Sequence, residues 1–96
     1  MRQAVVRRKL MEAQERLEQA RIEHAVLAEQ VEFFAEQAEE MRIRNLVAET
    51  PLSAHEYTEV RRTADTLQRA QAALEAEIDA LVGARERLLE RVEVEQ

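Results

Sequence analysis

The chain has 96 residues, no cysteine, no tryptophan, one glycine, one proline and three aromatic side chains. Alanine, glutamate, lysine, leucine and arginine fill 58 of the 96 positions, above the roughly half that marks long helices and coiled coils, and a β-rich fold lacks its β-branched, aromatic and turn residues. The net charge of −6 argues against non-specific nucleic-acid binding over the whole chain.

Few side chains are left to build a concave pocket, so neither an enzyme nor a cofactor site is expected. A chain of this size buries only about 60–65% of its unfolded surface in one core, so a partner chain would add stability. The lack of cysteine removes disulfides and thiolate zinc sites and fits a cytoplasmic protein. The basic start, Met1 to Lys9, leads into no apolar run, so no signal peptide is expected. No stretch approaches the ~18 apolar residues of a membrane span.

Helix 1 is predicted over about residues 3–48. Leu10, Leu17, His24, Val31, Ala38 and Asn45 recur every seven residues. Ala13, Ala20, Leu27, Phe34, Met41 and Ala48 follow each by three, so the two sets are the a and d positions of one coiled-coil seam. Asn45 at an a position reads as a register device, and His24 as a hydrogen-bonded seam residue with only Glu23 nearby. On the far side of the helix, at c and f positions, stand Ile22, Val26, Phe33, Ile43 and Val47. Ala25, Ala28 and Ala35 flank the seam. A helix that is apolar on more than one side has more than one packed neighbour.

The turn is placed at about residues 49–53, because Pro51 cannot continue a helix and pushes Thr50 out of the α region. Ser53 and Glu56 have capping-box spacing and Leu52 and Tyr57 that of a hydrophobic staple, which together put the N-cap at Ser53. The tip is acidic: residues 49–60 hold Glu49, Glu56 and Glu59 and no Lys or Arg. The segment Leu52-Ser53-Ala54-His55-Glu56-Tyr57, followed by a long helix, resembles the coiled-coil tip of the Gre transcript-cleavage factors. The resemblance covers about six residues and implies a tip that presents acidic side chains to a polymerase active-site magnesium. The Asp-x-x-Glu pair that precedes the tyrosine in those factors is missing, as is their globular C-terminal domain, and capping chemistry explains the same letters.

Helix 2 is predicted over about residues 54–94. Its d set is Val60, Leu67, Leu74, Leu81 and Leu88, and its a set Tyr57, Ala64, Gln71, Ile78, Arg85 and Val92. Val82 and Leu89 flank the seam, and Gly83 faces outward. Folding back about the turn, facing residue numbers should have a constant total. A total of 105 sets Ala13 against Val92, Ala20 against Arg85, Ala38 against Leu67 and Ala48 against Tyr57, small opposite large in each layer. A total of 98 would set Asn45 against Ser53 and leaves too little chain for the turn, so the total of 105 is expected. In that frame His24 faces Leu81, and Arg16 and Arg42 fall near other arginines, so their carboxylate partners are sought on another chain. Metal sites are not expected, since His24 stands without a second ligand and His55 and Glu59 supply only two.

The sequence therefore predicts an all-α fold: a long antiparallel two-helix coiled-coil hairpin, one domain over 1–96, dimerising into a four-helix bundle. The expected role is a non-enzymatic structural or adaptor protein that associates with itself and with another protein through helix faces. Ile22, Val26, Phe33, Ile43, Val47, Val82 and Leu89 are the expected interface. The alternative is a regulator whose acidic tip, Glu49, Glu56 and Glu59, contacts a larger machine such as RNA polymerase.

Overall fold

The computed structural model describes residues 2–94. They form two helices, α1 (Arg2–Ala48) and α2 (Pro51–Val94), joined by Glu49 and Thr50 into a helical hairpin, with no strand among the described residues. Among the described residues no helix is long and apolar enough to cross a membrane. The heptads hold throughout: every a and d position from Gln3 to Asn45, and from Ser53 to Val92, is buried or half-buried. Ala48, the last d position of the expected seam, is exposed.

Backbone packing divides the chain into two units. An open-end unit joins the residues up to His24 to those from Ala73 onward, and a tip unit comprises Ala25–Ala72. In the open-end unit Val6, Leu17 and Ala20 are almost wholly covered. In the tip unit Ala64 is the most covered residue, at 5% exposure. Gly83, half-buried in α2, lies close to no neighbouring backbone; a Cβ there would meet the end of the Arg87 side chain at 3.3 Å.

The register differs from the expected total of 105. In the tip unit the Ser53 hydroxyl lies 3.0 Å from Asn45 Oδ1, so facing numbers total 98. In the open-end unit His24 Nε2 meets Glu75 Oε1 at 3.1 Å and Arg85 donates to Gln14 at 3.4 Å, both totalling 99, which long side chains reach from layers that total 98 and not from layers that total 105. This register levels Leu17 with Leu81 and Ala20 with Ile78 in the open-end unit. In the tip unit it levels Phe34 with Ala64 and Ala38 with Val60. Small residues again oppose large ones, so that pattern is satisfied by either register and does not choose between them.

The cause of the shift is a turn shorter than the sequence suggested. Glu49 adopts φ 50°, the left-handed conformation that ends helices, and its N–H donates to the Asn45 carbonyl at 3.0 Å, the single bond of an αL cap. Thr50, held extended by the following proline, is the N-cap in place of Ser53. Its Oγ1 accepts from the Ser53 N–H at 3.1 Å and its own N–H donates to Ser53 Oγ at 3.2 Å. That is a reciprocal capping box with Ser53 in the role expected of Glu56. Pro51 fills the first helical position, where its missing N–H costs nothing, and Leu52 in the first turn is exposed. Two residues suffice to reverse the chain, which brings Asn45 within reach of Ser53.

Candidate interaction surface

The tip unit carries large apolar side chains on the outward side of α1. Val26, Phe33, Ile43 and Val47 are 53, 55, 50 and 82% exposed. Helical geometry explains their placement, since c and f positions lie opposite an a/d seam. The Phe33 ring meets the half-buried Phe34 edge to face, with centroids 5.2 Å apart and planes at 87°. A seam residue therefore braces the outermost aromatic and limits its freedom before anything docks on it. Glu29 and Glu36 share this side of the helix.

The other expected interface residues belong to the open-end unit. Ile22 is 55% exposed on α1, Leu89 is 40% exposed on α2, and Val82 is half-buried on α2. Four further large apolar residues, Met11, Leu46, Leu52 and Val94, are exposed by more than 60% and were not expected at the interface. Met11 and Leu46 sit at b positions, beside the stripe that the heptads mark, and Leu52 was read as part of a staple.

Some charged groups are paired within the chain. Arg16 bonds Glu77 across the open-end unit, its Nε lying 2.9 Å from Oε1, and Arg42 holds Glu39 on its own helix at 2.7 and 3.0 Å. Both arginines thus have carboxylate partners inside the chain, contrary to the expectation from the other register. The hydrogen bond from Arg42 holds the Glu39 carboxyl below the usual carboxylate range. His24 pairs with Glu75 in place of facing Leu81 alone. At the tip, Glu59 binds Arg62 at 3.0 Å, while Glu49 and Glu56 are exposed. Among the described residues no group of three or more His, Cys, Asp or Glu is placed to hold a metal ion.

Sequence reading also passed over Arg62 and Arg69 of α2. Tyr57, Thr58, Arg61, Arg62, Asp65 and Arg69 line an open cleft of about 330 Å³. Arg62 and Arg69 stand seven apart at outward f positions, and that spacing is the signal that marks them.

No family model, curated protein or solved structure matches the chain.

Proposed function

We propose that the chain is a non-enzymatic helical scaffold that associates with a second copy of itself and presents helix faces to a protein partner. The observation that carries this reading is the exposure of Val26, Phe33, Ile43 and Val47 along the outward side of α1. Isolated exposed apolar residues are ordinary, but a row of large ones along one helix marks a contact surface. Burying a phenylalanine side chain contributes roughly 1.5–3 kcal/mol, so a few such residues supply a useful part of a dimer's affinity. The simplest product is a dimer of hairpins in a four-helix bundle.

Phe33→Glu tests the reading. Its ring lies outside the seam, so far-UV circular dichroism should stay helical. The mass from light scattering should fall toward that of a single 11.1 kDa chain, with a Kd raised about tenfold or more. A mass unchanged from the unmodified chain would remove this face from the interface.

A further inference from the structure

We infer that the second copy packs on the side of the tip unit formed by the c and g positions of both helices. The two copies are related by a two-fold axis parallel to the helices, so α1 of each lies on α2 of the other. This rests on the self-association proposed above and adds the face, the symmetry and the contacts to it.

In an antiparallel hairpin the g positions of both helices flank the seam on one side, with the c positions next to them; e and b positions flank it on the other. The two sides of the tip unit differ in charge. On the first, Gln30, Phe33 and Gln37 of α1 stand beside Thr63, Thr66 and Ala70 of α2, a stretch without a charged c or g residue. On the second, the same height holds Glu32, Arg61 and Asp65, the last two in the arginine cleft. Interface centres are poor in charge and rich in aromatic residues. The uncharged side is also the one that carries the exposed Val26, Phe33 and Val47 of α1 and Leu52 of α2.

A face that meets its own copy about a two-fold axis makes every contact twice and closes the dimer. An axis parallel to the helices leaves heights unchanged, so each α1 residue meets the α2 residue of the other copy that it is level with in its own. With Asn45 level with Ser53, facing c positions total 99 and facing g positions 100. Phe33 then meets Thr66, Gln37 meets Thr63 and Gln30 meets Ala70, larger side chains against smaller ones. Val47 meets Leu52. Arg44 meets Glu56, a carboxylate that forms no ion pair with any described residue of its own chain. Glu40 and Glu59 also fall level, but each is held by an arginine of its own helix, Arg44 and Arg62. A two-fold axis perpendicular to the helices would instead lay α1 on α1 and α2 on α2. Glu56 and Glu59 would then face an α2 that offers no Lys or Arg at the c and g positions of the tip unit. Charge complementarity therefore selects the parallel axis, as it does where like-charge contacts exclude wrong partners.

The test is cysteine cross-linking on the full chain, with sedimentation equilibrium of the unmodified chain to establish its mass. Gln37→Cys and Thr63→Cys lie outside the a and d positions, so each variant should keep its helical circular dichroism. Mixed at equal concentration and mildly oxidised, the two should give the heterodisulfide as the predominant cross-linked product. Neither variant alone should cross-link, because each facing pair joins α1 of one copy to α2 of the other. Glu32→Cys mixed with Asp65→Cys, on the charged side, should stay unlinked. Gln37→Cys linking to itself would place α1 on α1 and overturn the orientation, and a link between Glu32→Cys and Asp65→Cys would move the dimer to the other side of the tip unit. If the unmodified chain dimerises and no pair links, the face is wrong while self-association stands. An unmodified chain that is monomeric at all concentrations overturns both readings.

Discussion

Glu49 is the only non-glycine residue with positive φ among the described residues. A side chain in the left-handed region costs roughly 1–2 kcal/mol, because Cβ crowds the following carbonyl. The position is one where helices ordinarily use glycine. Glu49→Gly relieves the crowding and returns part of the gain as extra unfolded-state freedom. The expected net effect is about 0.5–1 kcal/mol of added stability, a Tm higher by several degrees in a thermal melt. A lower Tm would mean that the Glu49 side chain contributes more than its backbone strain costs. Residue-scale reading found the capping residues but assigned the roles one turn too late. Thr50 precedes a proline and was therefore placed in the turn, although an extended residue before a helix is what an N-cap must be.

At the scale of the helices, the seam was legible because heptads repeat without interruption and each a and d position from Gln3 to Asn45 is covered. Register was not, for a physical reason. Sliding one helix by a full heptad exchanges a for a and d for d, so hydrophobic pattern and alternation of small with large survive the slip. Only the turn distinguishes the alternatives, and its length depends on one residue adopting a conformation that nothing in the letter glutamate announces. Cysteine pairs test the outcome. Ala38→Cys with Val60→Cys should close an intramolecular disulfide on mild oxidation, whereas Ala38→Cys with Leu67→Cys should not. A seven-residue slip moves a partner by about 10 Å, beyond the roughly 7 Å that a disulfide spans between Cα atoms. Cross-linking of the second pair alone would restore the register totalling 105.

At the scale of the whole molecule, the candidate surface was half legible. The apolar side of α1 followed from counting which large residues the seam leaves over. The arginine cleft was missed because the residues of α2 that line it, taken one by one, read as an ordinary charged surface. The proposed scaffold role stands on the premise that two chains associate. Sedimentation equilibrium of the unmodified chain over a wide concentration range tests it most directly. The account predicts a mass that rises with concentration to twice 11.1 kDa. A mass that stays at 11.1 kDa across the range would contradict it.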